Sequence, residues 1–246
     1  MDEGKNKMKK ILGVIGGLGP LATAYFFEIV TKLTDVRCDQ DHLEILIHSV
    51  PQTPDRTAYI LGESTESPLP KMTEAGLGLV RNGAEVIAIP CITAHYFHDD
   101  LEKALGVKVM HLPRETAGYL AEAGKKRVGI MATDGTVRSG LFQKELEAAG
   151  LTAITPDPER QADVMHLIYR NIKLGKAPEM DRFEAVRESL QEAGAEVIIL
   201  GCTELSLIKR DQEIGHGFID GMDVLAMRTI EACGGKVKLP FGGLIT

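Results

Sequence analysis

Short apolar runs alternate with amphipathic stretches along most of the chain, up to about residue 233. A short apolar run between turn residues is typical of a buried strand, whereas apolar residues spaced three and four apart predict a helix. In the first half, the pattern predicts strands within 9–15 and over 43–50, 86–90 and 107–112, with helices over 22–33, 69–82 and 96–105.

The second half repeats this alternation. It begins with a charged segment that leads into an apolar run at 125–131, as the first half does at 9–15. The later elements are predicted helices over 139–149, 163–174, 180–193 and 224–233 and predicted strands over 152–155, 197–200 and 217–219. Strands that alternate with helices predict parallel sheets covered by helices, so the expected fold class is α/β.

We therefore predict two pseudo-symmetric lobes, each a mainly parallel sheet flanked by helices, with the active site in the cleft between them. The expected boundaries are 1–112 for the first lobe and 113–222 for the second. The closing helix over 224–233 is expected to pack back on the first lobe. The tail over 239–246 has no clear pattern.

One segment occurs twice and ends each time in a cysteine. Residues 83–91 read GAEVIAIPC, and residues 194–202, which lie 111 positions later, read GAEVIILGC. Each copy is a Gly-Ala turn, an apolar run and then Cys91 or Cys202. Because ligands bind outside the carboxyl ends of the strands in open α/β sheets, two such halves would present two thiols to one cleft.

A pair of thiols that face each other across a substrate carbon can remove a proton from one face and return it to the other. A single cysteine at a strand end is more often a packing residue than a catalytic one, but matched positions in a duplicated fold favour catalysis. The helix-like sequence after each cysteine adds to this, since a helix amino terminus stabilises a thiolate and lowers the thiol pKa from about 8.5.

Composition narrows the function without identifying it. The chain has 246 residues, 44% of them hydrophobic, and a net charge of −7, which argues against a nucleic-acid partner. Lysines at 7, 9 and 10 precede an apolar run, but glycines and Pro20 interrupt that run, so we predict a strand and a helix rather than a signal peptide or membrane segment. The expected location is the cytoplasm. No Cys-x-x-Cys spacing indicates a zinc site, and Cys38 and Cys233 are interpreted as structural or incidental.

Four motifs, in this order, resemble the aspartate/glutamate racemase family, in its aspartate-racemase branch, which works without pyridoxal phosphate. They are GGLGP at 16–20 with Ala22-Thr23, PDRT at 54–57, PCITAH at 90–95 and GCTE at 201–204. The resemblance runs from about residue 11 to 233. It implies a cofactor-independent racemase, with aspartate as the best single substrate, and it suggests a homodimer.

The resemblance also implies a role for each matching residue. Cys91 and Cys202 would be the two acid/base groups, and Thr93 and Thr203 would hold the α-carboxylate. Arg56 would bind the side-chain carboxylate of an acidic amino acid, a task that suits a guanidinium. The remaining implied binding residues are Lys173, which would assist Arg56, and Gly17, whose loop would bring backbone amides close to the ligand.

Several alternatives stay open. Arg56 could be a solvated loop residue, and Lys173 could simply complement a helix dipole. Glutamate or a broad range of amino acids could replace aspartate, because Ile92 stands where the family commonly has asparagine. Two other function classes stay open: a related decarboxylase or isomerase with one key cysteine, and a non-catalytic small-molecule binder.

Overall fold

A computed structural model describes residues 9–240 and 243–246 of the chain. The first lobe contains a four-stranded parallel sheet in the order β2-β1-β3-β4. Its elements are β1 (Leu12–Gly16), α1 (Pro20–Leu33), β2 (Ile45–Ser49), α2 (Arg56–Leu61), α3 (Leu69–Arg81), β3 (Val86–Ala88), α4 (His98–Leu105) and β4 (Lys108–Val109). Lys7 and the first residues of the predicted first lobe lie outside the described residues.

The second lobe has the same topology, with strand order β6-β5-β7-β8 and parallel pairing throughout. Its elements are α5 (Leu112–Glu122), β5 (Arg127–Ala132), α6 (Asp134–Ser139), α7 (Leu141–Ala148), β6 (Thr152–Ile154), α8 (Pro158–His166), α9 (Met180–Glu192), β7 (Val197–Gly201), α10 (Thr203–Asp211), β8 (Phe218–Asp220) and α11 (Gly221–Ala232). The predicted fold class is confirmed: two parallel sheets, each flanked by helices.

The apolar side chains form three clusters that follow from the alternation of side chains along each strand. Val14 and Ala88 of the first sheet and Ile130 and Ile199 of the second point into one shared cluster between the lobes. The residues next to them on each strand point into two outer clusters, one on each lobe. Helices α3 and α4 cover the outer cluster of the first lobe, and α8 and α9 cover that of the second. Helix α11 lies in the shared region, where it packs against α1 and α5.

Two predicted helices are divided in the structure. The predicted helix 139–149 is preceded by the separate helix α6, and α7 begins only after Gly140, whose backbone φ of 71° is left-handed and favours glycine. The predicted helix 163–174 begins earlier, as α8, and continues as a π-helical turn (Leu167–Asn171) and a 3₁₀ turn (Ile172–Leu174). Local propensity does not reveal such changes of helix type.

Two helices were missed by the sequence analysis. The predicted strand 107–112 is only two residues long, because α5 begins at Leu112, with Pro113 in its first turn and the His111 side chain capping its amino terminus. Helix α2 begins at Arg56, where the Asp55 side chain accepts a hydrogen bond from the Ala58 N–H at 2.8 Å. The second of these errors bears directly on the site.

The end of the tail is ordered against the second sheet. Ile245 forms an antiparallel bridge with Ile219 of β8, and the Thr246 N–H donates to the Phe218 carbonyl at 2.9 Å. Residues 241 and 242 of the predicted unpatterned tail lie outside the described part. Within the described residues, the helices are too short or too polar to cross a bilayer.

Candidate active site

A small cavity of about 20 Å³ brings most of the predicted site residues together at the carboxyl ends of the two sheets. Both cysteines line it. The other lining residues are Leu18, Asp55, Arg56, Thr57, Ile92, Thr93, Thr133, Tyr169, Lys173, Thr203 and Glu204. Six of the seven predicted site residues therefore meet in one place, and they come from both lobes.

Cys91 lies three residues after β3, on extended backbone with φ of −154°, and it caps a 3₁₀ turn (Ile92–Phe97). Its side chain is buried, with 6% of the residue exposed. The buried His95 ring holds this turn in place: its Nδ1 lies 3.1 Å from the Cys91 carbonyl oxygen, and its Nε2 lies 3.1 Å from that of Met110. Burial lowers the pKa of His95 to about 3, so near pH 7 the neutral ring has one N–H and donates to only one of these two carbonyls.

Cys202 occupies the matching place in the second lobe. It follows β7 directly, has extended backbone with φ of −146°, and caps α10. The Leu205 N–H donates to its carbonyl oxygen at 2.9 Å, and the Ser206 N–H does so at 3.3 Å. Each thiol therefore sits at the amino terminus of a helical segment, where backbone N–H groups favour negative charge.

The charged neighbours of the two cysteines differ in sign. Arg56 lies beside Cys91, and its guanidinium donates to the carbonyls of Leu18 at 2.9 Å, Pro54 at 2.9 Å and Thr53 at 3.3 Å. The buried Arg56 Nε has no hydrogen-bond partner among the described residues. Burial opposes the charge of Arg56, but negative charge on Cys91 and on Asp55 raises its pKa. Arg56 is thus a buried cation held next to a sulfur, rather than a solvated loop residue.

Cys202 instead has a carboxylate as its neighbour. Its Sγ–H donates to Glu204 Oε2 at 2.9 Å, and Lys173 Nζ donates to Glu204 Oε1 at 2.7 Å. Burial and the negative charge of Glu204 raise the pKa of Cys202 well above its ordinary value, and the Lys173 charge opposes this. Burial alone would lower the pKa of Lys173, but the charge of Glu204 raises it, so the lysine remains an ammonium.

The hydroxyls of the two predicted threonines differ in the hydrogen bonds that they already make within the protein. Thr93 Oγ1 lies 3.1 Å from Thr133 Oγ1 and 3.0 Å from Thr136 Oγ1, in a buried cluster that joins the two lobes. Thr203 Oγ1 makes a longer contact of 3.4 Å with Glu204 Oε2. Thr203 is therefore the freer hydroxyl for a ligand.

Gly17 is the predicted site residue that the structure does not bring into this cavity. It lines an adjoining groove of about 360 Å³, and its N–H already donates to Thr23 Oγ1 at 2.9 Å. Its φ of 85° is left-handed, and a Cβ there would lie 2.3 Å from the Val50 nitrogen. Gly17 therefore permits a tight turn beside the site, and its N–H is directed away from a ligand.

Glu204 and Tyr169 are among the lining residues to which the sequence assigned no role. Glu204 stands in the quoted GCTE motif, so its place two residues after Cys202 was the available signal. Tyr169 lies on the π-helical turn, and its hydroxyl donates to Asp55 Oδ2 across the cleft at 3.4 Å. Burial, with the charge of Asp55, raises the pKa of Tyr169 to about 12, so the phenol stays protonated.

Ile92 lines the cavity and also belongs to the apolar cluster between the lobes. Only 2% of this residue is exposed. The departure from the family's asparagine thus lies at the wall of the cavity, where a hydrocarbon replaces an amide.

Comparisons with known proteins identify the family and the fold of the chain. The family described as Asp/Glu/Hydantoin racemase matches residues 15–229. The chain is 28% identical over 230 residues to the broad specificity amino-acid racemase RacX of Bacillus subtilis, a match that covers 89% of this chain and 96% of that protein.

Solved structures of similar fold include an aspartate racemase and a homologue of one. The aspartate racemase of Picrophilus torridus superposes with a TM-score of 0.79 at 28% identity, covering 93% of this chain and 96% of that one. An aspartate racemase homologue from Pyrococcus horikoshii superposes with a TM-score of 0.73 at 25% identity, covering 92% of this chain and 100% of its own.

Proposed function

The chain belongs to the Asp/Glu/hydantoin racemase family, and on that basis we propose that it interconverts L- and D-aspartate with Cys91 and Cys202 as its two acid/base groups. The observation that carries the proposal is the pair of buried thiols that line one cavity with neighbours of opposite charge. The reaction needs no pyridoxal phosphate in this mechanism, because the thiols themselves move the α-proton.

In the proposed resting enzyme, Cys91 is the base. The Arg56 guanidinium beside it stabilises a thiolate, and the N–H groups at the start of the 3₁₀ turn act in the same direction. Because Arg56 stays protonated, it supplies this positive charge throughout the reaction.

Cys202 is the acid in the same resting state. Its proton is held by Glu204, whose charge makes loss of that proton unfavourable until a carbanion forms nearby. A protonated thiol on one side and a thiolate on the other is the arrangement that one turnover requires. The asymmetry of charge therefore assigns the starting roles that a symmetric pair would leave open.

The substrate's carboxylates have matching donors. The start of α10, with the Thr203 hydroxyl and backbone N–H groups, suits the α-carboxylate. The unpartnered Arg56 Nε suits the side-chain carboxylate of aspartate, and Lys173 adds positive charge at the same wall of the cavity. These contacts would hold the α-carbon between the two sulfurs.

One turnover then moves two protons. The Cys91 thiolate takes the α-proton, and the electron pair of the broken C–H bond moves onto the substrate's α-carboxylate. The Cys202 thiol gives its proton to the opposite face of the carbon, which inverts the configuration. Cys91 is left as a thiol and Cys202 as a thiolate, and the reverse reaction exchanges these roles.

A neutral amino acid is the second candidate substrate. Three of the Arg56 donors already bind backbone carbonyls, and Lys173 is paired with Glu204. The adjoining groove, which shares Leu18, Arg56 and Lys173 with the cavity, also has apolar residues in its wall: Pro20, Leu21, Pro51, Ile172 and Leu207. This wall supports a broader substrate range, like that named for the B. subtilis relative.

The deciding experiment is a chiral assay of the purified protein in D₂O, without added pyridoxal phosphate, on aspartate, glutamate and a panel of neutral amino acids. We expect inversion of aspartate together with deuterium at the α-carbon. Faster turnover of neutral amino acids would favour the second candidate.

Other outcomes would replace the racemase proposal. Release of carbon dioxide from a substituted malonate or a similar acid would indicate a decarboxylase. Binding of an amino acid without exchange of its α-proton would indicate a non-catalytic binder.

A further inference from the structure

A two-base racemase that converts one enantiomer leaves its cysteines in the opposite protonation states, and the enzyme must restore them before the next turnover. We propose that Glu204 returns the proton to Cys202 and so restores the resting enzyme between turnovers. This inference rests on the proposed racemase function.

The geometry of Glu204 suits a proton relay. Its Oε2 accepts the Cys202 Sγ–H at 2.9 Å, and its Oε1 accepts from Lys173 Nζ at 2.7 Å. Both Glu204 and Lys173 line the catalytic cavity and the larger adjoining groove. The Glu204 side chain is 7% exposed and that of Lys173 is 27% exposed, so the hydrogen-bonded chain leads from the buried sulfur towards solvent.

Cys91 has no matching neighbour in the described part of the cavity lining. Arg56 does not release its proton, and the Thr93 hydroxyl does not titrate in the working range. The other lining carboxylate, Asp55, accepts hydrogen bonds from the Ala58 N–H and the Tyr169 hydroxyl instead. The position two residues after the cysteine is threonine in the first lobe and glutamate in the second, so the relay belongs to one lobe only.

The restoring step is balanced in protons. Glu204, protonated by water in the adjoining groove, gives its proton to the Cys202 thiolate and becomes a carboxylate again. The Cys91 thiol loses its proton to water that enters the emptied cavity. The net change is the transfer of one proton from Cys91 to Cys202 through solvent, and the charged neighbours of both sulfurs favour it.

The test uses the substrate dependence of the racemisation rate, because slow return of the free enzyme has its own kinetic signature. In mixtures that contain both enantiomers at high concentration, the product enantiomer captures the product form of the enzyme and drives it backwards, so the net rate passes through a maximum and falls as the total amino-acid concentration rises. We expect a plateau for the unaltered protein. For Glu204→Gln we expect a maximum followed by a fall, because loss of a general acid slows proton transfer by about 10²-fold or more.

The matched control is Glu213→Gln, the same chemical change at an exposed residue just beyond α10, which should keep the plateau. Equal slowing of Glu204→Gln at all substrate concentrations would overturn the relay, since that pattern indicates a role in the chemical step or in folding alone. If Glu204→Gln folds but has no turnover, Glu204→Asp replaces it, because its side chain is one methylene shorter, loses the 2.9 Å contact with Cys202 Sγ and should therefore still show the maximum. A plateau with Glu204→Asp would then overturn the proposal.

Failure of the proposed function has a different signature. If the unaltered protein inverts no amino acid, the racemase proposal fails and the relay with it. If the unaltered protein racemises and the Glu204 variants show a plateau, the relay alone fails.

Discussion

The two lobes share their strand order, their parallel pairing and the placement of a cysteine before a helical segment, yet they surround those cysteines with opposite charges. In the first lobe Arg56 lies beside Cys91, whereas in the second Glu204 accepts the proton of Cys202. The shared topology places two thiols in the lining of one cavity. In the proposed mechanism, the differing neighbours would make one thiol the base and the other the acid.

The difference teaches that fold symmetry and chemical symmetry are separate properties. A racemisation of a free amino acid has an equilibrium constant of one, so kcat/KM must be equal for the two enantiomers whatever the charges in the site. Any difference in kcat between the two enantiomers must therefore be matched by an equal proportional difference in KM. This constraint provides an internal check on every variant below.

The largest expected effect comes from removing either thiol. Cys91→Ala and Cys202→Ala should each lower racemisation by about 10² to 10⁴-fold or more, because each enantiomer needs one cysteine as base and the other as acid. A chiral assay on both enantiomers measures this. Cys38→Ala, at an exposed cysteine outside the cavity, is the matched control and should retain full activity.

Each single variant should also show which face its cysteine serves. A protein with one thiol can still exchange the α-proton of one enantiomer with deuterium from solvent without inverting it. Full racemase activity in either alanine variant would remove that cysteine from the mechanism.

A smaller effect is expected from Arg56→Leu, which acts on the first lobe only. Loss of a charge-assisted partner for the side-chain carboxylate should cost aspartate about 2–5 kcal/mol in kcat/KM, and alanine should lose less. The ratio of the two losses isolates recognition of the side chain from the effect on Cys91, which both substrates share. Equal losses would mean that Arg56 serves Cys91 and not the side chain.

Stability must be measured beside this kinetic result. The guanidinium also satisfies the carbonyls of Leu18, Thr53 and Pro54, and leaving a buried acceptor unpaired costs about 1–3 kcal/mol. Thermal unfolding of Arg56→Leu and of the more conservative Arg56→Lys will show whether the fold is kept.

The smallest effect is expected from Ile92→Asn, which adds an amide at the wall of the cavity. If aspartate is the native substrate, the change should preserve or raise its turnover by less than about tenfold, the effect of one added polar contact. If the native substrate is another amino acid, turnover of that substrate should fall while turnover of aspartate improves. Chiral assays on a substrate panel compare the two, and Ile92→Val serves as the apolar control. No change on any substrate would show that Ile92 acts only in packing.

The sequence predicted the two-lobed fold and both cysteines because these depend on a local repeat that survives at a fixed spacing. Arg56 was predicted as a site residue from the family resemblance, but its burial was not evident from the residues themselves. Its position depends on the cap that Asp55 provides and on carbonyls as distant in sequence as that of Leu18. No short window of sequence contains those partners.

The charge asymmetry was only partly visible in the sequence, where glutamate stands two residues after Cys202 and threonine two residues after Cys91. The ion-pair partner of Glu204, Lys173, lies 31 residues earlier on a 3₁₀ turn that follows a π-helical turn. For Gly17, the position of the loop beside the site was predicted correctly, but the role of its N–H was not, because that N–H donates to Thr23 Oγ1. Local patterns thus located the groups near the cleft, and long-range contacts decided what each group can do.

The proposed mechanism depends most on Glu204, whose charge helps to keep Cys202 a thiol in the resting enzyme, and labelling of the cysteines as a function of pH tests this most directly. Peptide mapping after brief treatment with a small alkylating reagent, without substrate, gives the rate at each cysteine. We expect Cys202 of the unaltered protein to be labelled only at a pH above the usual range for a thiol, and Glu204→Gln to move its labelling to lower pH because the change removes a charge that raises the pKa of that thiol. Labelling of Cys202 at the same pH in both proteins would contradict this mechanism.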